Sequence, residues 1–514
     1  MRPHSRRTRL RLMALVLPLA LVLLLAGGTT KAQTPTYWAA TYGGPRWDEV
    51  WSMEGTSDGG VALIGWTRSF GGTQYAIWIM KLQADGSVQW QKTYSHNWDF
   101  GESIKQTSDG GYAAAGYAWG LGAGRYDYWV LKLAADGSIQ WQKTYGGAAD
   151  DQATCLVHTA DGGYVLAGET QSWGAGEWDI WVVKLAPDGA IEWQKTYGGR
   201  WTDTTSAEPI RQTADGGYVV TGRTESFGAG QGDVWVIKLN AEGAIQWQKT
   251  YGGAANEYGR SIRQTADGGY VVAGYTMSFG AGEWDIWVLK LDADGNLTWQ
   301  RTYGGAGDEK TYSIEQTSDG GYALAGWTDS FGAGHGDAWV LKLDGEGALQ
   351  WQRTYGAAEW DFAAAIRQTF AGAYFVAGGT ESFGAGESDF WALKLNEEGN
   401  IPGCSLLGDS EAIVTYTEVS GVDSRAMVAD TRAGITNPSV LSIDSQAAAS
   451  NQCSWTPEPT STPTQTATVT PTATPTASAT PTATHTATHT ATATPTARPY
   501  FPVYLPLILD LTAS

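Results

Sequence analysis

Three cysteines and six histidines in 514 residues leave little material for metal or redox chemistry. Only His96, His158 and His335 fall in the globular stretch, and they lie in separate sequence units. No Cys/His cluster or paired-His motif for zinc is present. Neither a phosphate-binding glycine loop before a helix nor a nucleophile elbow occurs. Asp292-Ala293-Asp294-Gly295 carries two acids at calcium-like spacing but lacks the further ligands of a calcium loop. No cofactor is therefore expected. Positive charge is also scarce, with 33 Lys and Arg against 53 Asp and Glu and a net charge of −20. The first 33 residues hold six basic groups and no acid, so the remainder stands at −20 − 6 = −26. That balance argues against nucleic acid and anionic lipid as partners. Long apolar runs are missing too. The exception, Leu12 to Ala26, has fifteen residues interrupted by Pro18, short of the ~20 that span a bilayer. With Arg2 to Arg11 ahead of it and small residues behind, it predicts a signal peptide over 1–32, cleaved after Ala32, and an extracellular chain.

Glycine and tryptophan, by contrast, are abundant, at 67 and 26 residues. They fall in register with a repeat. A Thr-Tyr pair recurs with its tyrosine at 42, 94, 145, 197, 251, 303 and 355, at spacings of 52, 51, 52, 54, 52 and 52. Each unit holds four short apolar runs, A to D. The A–B and C–D junctions typically carry Asp-Gly, which supplies the positive φ of tight hairpins. Such a unit repeated seven times predicts an all-β, seven-bladed β-propeller of four-stranded blades over 36–403. The seventh unit lacks its D run and ends in Asn400-Ile401-Pro402-Gly403-Cys404, where proline cannot join a ladder. Trp38-Ala39-Ala40-Thr41-Tyr42 fits the missing strand, so the N-terminus is expected to close the ring.

Repeated residues read first as architecture. A tryptophan in every C run (Trp287 in blade 5) and one in every D run (Trp299) should face different neighbouring blades. A lysine in every C run, Lys290 here, should pack its stem and pair its head group. The aspartate that opens six of the seven C runs, such as Asp285, should cap loop amides. Asp-Gly-Gly-Tyr-Val-Val-Ala-Gly at 267–274, Ser-Phe-Gly-Ala-Gly at 278–282 and Asp-Ile-Trp-Val-Leu-Lys-Leu at 285–291 resemble the repeats of bacterial secreted β-propeller proteins. The resemblance spans roughly residues 37 to 404. It implies the fold, and it carries no catalytic motif, although some such repeat proteins are grouped loosely with endoglucanases.

Beyond the propeller, residues 404–455 alternate weakly between Cys404 and Cys453 and read as a small, Cys-bounded β appendage, with a disulfide between the two. A Thr/Pro-rich stalk over 456–498 and an apolar sorting or anchoring tail over 499–514 imply display on a cell surface. Candidate function falls to the loops that vary between blades. The D–A loops carry Trp47-Asp48, Trp98-Asp99, Trp201 and Trp360-Asp361, where other blades have Ala, Gly or Asn. The B–C loops on the same face add Tyr75, Tyr126 and Trp178. Rings beside carboxylates suit a sugar or a protein surface. The competing reading tucks the same tryptophans between blades. The expected role is therefore a non-catalytic binding module for an extracellular glycan or protein. The alternative is an endoglucanase-like hydrolase with a carboxylate pair on the loop face.

Overall fold

The computed structural model describes residues 37–404, residue 73 excepted, together with the backbone of short strands between 407 and 455. The expected signal segment, stalk and tail lie outside the described residues. The described chain is all-β and forms a seven-bladed propeller. Blade 5 is typical, with strands Glu257–Gln264 (A), Tyr270–Thr276 (B), Asp285–Leu291 (C) and Leu297–Gly304 (D). Strand B and strand C are buried on both faces because each blade is sandwiched between two others. Hydrophobic burial is accordingly divided among seven inter-blade clusters. Trp287 packs in the cluster toward blade 4, and Trp299 in the one toward blade 6. No helix among the described residues is long and apolar enough to cross a membrane.

The hairpins explain the repeated Asp-Gly-Gly and lysine. In blade 1, Gly59 turns at φ +82°, and a Cβ on Gly60 would stand 2.1 Å from the Leu82 carbonyl oxygen. That carbonyl accepts from Lys81 Nζ at 2.8 Å, while Asp58 pairs with the same ammonium at 2.9 Å. The pair recurs through blade 6 as Lys342–Asp319 at 2.8 Å. Blade 7 has Phe370-Ala371 at this turn, and Lys394 donates instead to Ala84 of blade 1 at 2.9 Å. The aspartate opening strand C takes loop amides as expected, for example Gly176 to Asp179 at 2.9 Å.

Closure also follows the sequence reading. Blade 7 comprises Asp361–Gln368, Tyr374–Thr380 and Asp389–Leu395, and its fourth strand is Tyr37–Gly43. Trp38 lies opposite Lys394 and Tyr42 opposite Phe390.

The expected small appendage is corrected. Instead of folding on itself, the segment after Cys404 lays one short strand on the outer edge of every blade, in reverse blade order. Leu407–Asp409 pairs with blade 6, Ile413–Tyr416 with blade 5, Val422–Asp423 with blade 4 and Met427–Asp430 with blade 3. Gly434–Thr436, Ser442–Asp444 and Ala448–Trp455 then cover blades 2, 1 and 7. The physical reason is the D edge. Seven outer strands would otherwise present unpaired amides and carbonyls, and a chain of this length satisfies more of them as a belt than as a separate knot. The register is a seven-residue one. Asp409, Tyr416, Asp423, Asp430 and Asp444 stand opposite Arg353, Arg301, Lys249, Lys195 and Lys92.

Deleting Tyr37 to Tyr42 removes the outer strand of blade 7 and the seat of the last belt strand together. The melting midpoint should fall by about 10 °C or more, with aggregation through the opened edge. A deletion variant that melts like the parent in calorimetry contradicts this closure.

Candidate ligand site on the propeller axis

Seven A strands surround the axis, and each is interrupted at the same place. A register shift sets one extra residue into strand A of six blades: Trp51, Glu102, Thr154, Arg260, Tyr312 and Ala364. A β-bulge of this kind re-aims its side chain. Here the bulge residues meet around the axis. The Trp51 ring lies 5.8 Å from Tyr312 of blade 6 and 5.7 Å from Phe362 of blade 7. Ala364, between them in the ring order, is small enough to permit both contacts. These are the positions at which the repeat varies most in chemistry, and nothing in the blade scaffold requires it.

Two residues nearer the D–A loop, a cross-strand pair continues the variation. Glu49 faces Trp66, Phe100 faces Tyr117, Gln152 faces Glu169 and Thr204 faces Arg223. Tyr258 faces Tyr275, Lys310 faces Trp327 and Phe362 faces Gly379. Aromatic rings therefore gather by sector. On blades 1 and 2, Trp66, Tyr75, Phe100, Tyr117 and Tyr126 form one contiguous cluster with half-buried Trp119. Phe100 and Tyr117 stack at 5.0 Å. On blades 6 and 7, Tyr312, Trp327 and Phe362 pack with Trp360.

Charge is sorted by sector as well. Blades 1 to 3 contribute Glu49, Glu102 and Glu169, whereas blades 4 to 6 contribute Arg223, Arg260 and Lys310. Burial pushes the carboxyls of all three glutamates up to about 8, and repulsion from Glu169 and Glu49 adds to that for Glu102. Arg260, from blade 5, is the cation that opposes the rise at Glu169. Its guanidinium bonds to Ser206 and Tyr275 and sits over the rings of Tyr258, Tyr275 and Tyr312. Burial also lowers the Lys310 ammonium, which lies over Tyr275, Trp284 and Trp327.

The channel's other end is held by ion pairs. Glu208 accepts from Arg263 and Arg367 and lies 3.2 Å from Arg211, and together the three guanidinium groups hold its carboxyl well below the usual range despite burial. It enters from residues 205–209 of blade 4, which replace the single-residue bulge between Asp203–Thr204 and Ile210–Gln212 and include Ala207 at φ +62°. Beside it a cavity of about 310 Å³ is lined by Glu54, Lys105, Glu315 and the three arginines. Sequence reasoning passed over Glu208. Its signal was the 54-residue spacing of that one unit.

The loop residues singled out by sequence divide into two groups. The tryptophans and tyrosines lie on the expected face. Trp98 is 37% exposed and packs at 5.0 Å on Tyr75, which joins Tyr126 through Phe100. Trp47 and Trp178 are half-buried. Trp360 turns to Trp327 at 4.5 Å, so the expected continuous arc of Trp360, Trp47 and Trp98 resolves into separate aromatic clusters. The aspartates are a correction. Asp48, Asp99 and Asp361 are fully buried and bind their own loops. Asp48 accepts from the Gly44 amide and the Thr67 hydroxyl, Asp99 from the Asn97 amide and Asp361 from Ser382. The equivalent acids Asp151, Asp203, Glu257 and Glu309 are buried likewise. An acid is needed there because the tight D–A loop leaves amides without ladder partners.

Comparison with known proteins adds the fold and little else. A family profile described as a domain of unknown function (DUF5122) β-propeller matches residues 265–297. No curated protein matches the chain. Among solved structures, a protein of unknown function from Bacteroides caccae aligns at 12% identity, with TM-score 0.33 over 62% of this chain and 93% of that one. A putative gluconolactonase aligns at 12% and 0.30 over 70% and 92%. An endo-1,5-alpha-L-arabinanase from Thermotoga petrophila aligns at 12% and 0.23 over 70% and 99%. Likeness at this level does not bear on what the chain binds. The chain is a β-propeller repeat protein.

Two substitutions separate the two ends of the channel. A glutamate whose carboxyl is raised on folding makes the folded state bind more protons than the unfolded one between about pH 4.5 and 8, so stability falls as pH rises through that window. Glu169→Gln should therefore stabilise the fold by about 1–3 kcal/mol at pH 8 and by little at pH 5. An equal effect at both pH values in urea titrations contradicts the assignment. Glu208→Ala strands three buried guanidinium groups and should cost about 3–5 kcal/mol. A loss under ~1 kcal/mol would show that the arginines do not depend on it.

Proposed function

We propose that the chain is a secreted, non-catalytic binding module that presents the axial end of its D–A and B–C loop face to an extracellular glycan. One observation carries this reading. In a chain repeated seven times, the residues that escape the repeat converge on one end of the axis, and they are rings beside hydrogen-bonding polar groups. Flat aromatic faces suit sugar rings, and the intervening carboxylates suit hydroxyls. Export by the 1–32 segment and display on the Thr/Pro-rich stalk belong to the same proposal. So does a Cys404–Cys453 disulfide. Cys404 ends the turn after Ile401 beside blade 7, and the backbone register sets Cys453 opposite Ala39 on the outer strand of that blade. A bond between them would fasten the last belt strand next to the first residue of the belt. Closing a loop of about 50 residues is worth ~4 kcal/mol in the chain-entropy model.

A second reading rests on Glu102 and Glu169, on the neighbouring blades 2 and 3, whose carboxyls burial raises alike. Hydrolysis of a glycosidic bond needs two acids some 5–10 Å apart, one of them protonated. Affinity measurements on a panel of extracellular polysaccharides decide between the two. Trp98→Ala should weaken binding about fivefold, equivalent to ~1 kcal/mol, at an unchanged melting point. Unaltered affinity overturns the binding face. Release of reducing ends that Glu102→Gln abolishes favours the hydrolase. Non-reducing peptide mapping should find Cys404 joined to Cys453, and two free thiols contradict the clasp.

A further inference from the structure

The acidic sector of the axial face contains acceptors with nothing to accept from. Glu169 is 1% exposed, and its Oε2 has no hydrogen-bond partner. Gln152, its cross-strand neighbour, is 6% exposed with an orphaned Oε1. Buried polar atoms are almost always paired, so two adjacent orphans at the axis call for a donor from outside the chain. Glu102 of blade 2 belongs to the same acidic sector, its carboxyl raised by burial and by repulsion from Glu169 and Glu49. The nearest cation, Arg260, is already committed to Ser206, Tyr275 and the surrounding rings. The sector is thus rich in acceptor oxygens and short of positive charge.

Resting on the reading of this face as a glycan site, we propose that Glu169 and Gln152 receive an ammonium group, and that the ligand is an amine-bearing sugar. An ammonium offers three donors and one positive charge, which matches orphaned acceptors flanked by carboxylates. A bare metal ion fits less well, because no group of three or more Asp, Glu, His or Cys among the described residues could hold one. The sugar part is assigned by the neighbouring rings. Phe100 and Tyr117 hold on blade 2 the cross-strand position that Gln152 and Glu169 hold on blade 3, and Trp98, which packs on Tyr75 of the same aromatic cluster, presents the exposed ring to a pyranose.

Binding is linked to protons. The acids are held largely protonated near neutrality by burial and mutual repulsion, so an entering ammonium must displace protons from them. The charged and titratable groups facing this sector are Arg260, Tyr117, Tyr128, Tyr312, Glu381 and Asp48. Of these, Arg260 is the one that resists an incoming cation, and it is held over the rings of Tyr258, Tyr275 and Tyr312.

Calorimetry on the full chain at about pH 6, where amino sugars remain charged, tests the proposal in two buffers of different ionisation heat. The ligands are a fully deacetylated glucosamine tetramer, its N-acetylated counterpart and spermidine. The deacetylated tetramer should bind with proton release, and both other ligands at least tenfold more weakly. Glu169→Gln, which the pH analysis expects to be stabilising, should reduce affinity for the deacetylated tetramer about tenfold and suppress the proton release. Equal affinity for the two tetramers, unchanged by Glu169→Gln but reduced by Trp98→Ala, overturns the ammonium site and leaves the glycan face standing. Spermidine binding as tightly as the deacetylated tetramer overturns the sugar assignment. Tetramer binding indifferent to both substitutions overturns this inference and the glycan face together.

Discussion

The ring depends on one hydrogen bond made seven times. The tyrosine that ends each D strand donates its hydroxyl to the carbonyl of the glycine in the next blade's C–D turn, at 2.5 to 2.7 Å in every blade. All seven tyrosines are fully buried. Each bond is worth about 1 kcal/mol net, and more if broken, because the orphaned carbonyl would stay out of water. The glycine carbonyl is available because its turn has positive φ and pairs with no further strand. The D-strand tryptophan reinforces the latch from the same side, as when Trp90 donates to Ala135 at 2.9 Å. Spacing and tilt between blades are therefore set by a donor and a turn that the repeat supplies in every unit. Tyr42, from the other end of the chain, makes the seventh latch to Gly86.

Once the ring is fixed by repeated residues, the positions free to vary are those outside the seven inter-blade clusters and the tyrosine latches. They are the bulge residues and the cross-strand pairs at the axis. The scaffold also accounts for acids that would otherwise look functional. Asp48, Asp99 and Asp361 bind loop amides, whereas the buried Glu169 Oε2 has no scaffold donor. The difference between a structural and a functional carboxylate in this molecule lies in whether the loop beside it brings a donor.

Much of this was legible from residues alone. The Thr-Tyr spacing set the blade count, and Pro402 with the absent seventh D run pointed to Tyr37–Gly43 as the closing strand. Opposite faces for Trp287 and Trp299 followed from a two-residue turn. The belt is hard to read from residues because its period is seven, far below the 52-residue blade repeat. A period of seven runs through Asp409, Asp423, Asp430 and Asp444, one step per blade, and only the outer strands it covers give it meaning. The axial site was misplaced for a related reason. Loops display their variation openly, whereas the variation in strand A is hidden by a bulge that puts every second-residue pattern out of step. Trp51, Glu102, Arg260 and Tyr312 occupy one column of the repeat, which a blade-by-blade alignment of strand A exposes.

The central claim is that ligand meets this chain at the axial end where the repeat breaks down. Carboxyl and aromatic footprinting, with and without a saturating glycan ligand, tests it most directly. Protection should concentrate at Trp98, Tyr75, Glu49 and Glu102, with the belt and the A–B turns, Phe370 among them, labelled equally in both states. Protection confined to the A–B turns or to the outer strands, with the axial residues unchanged, would contradict the account.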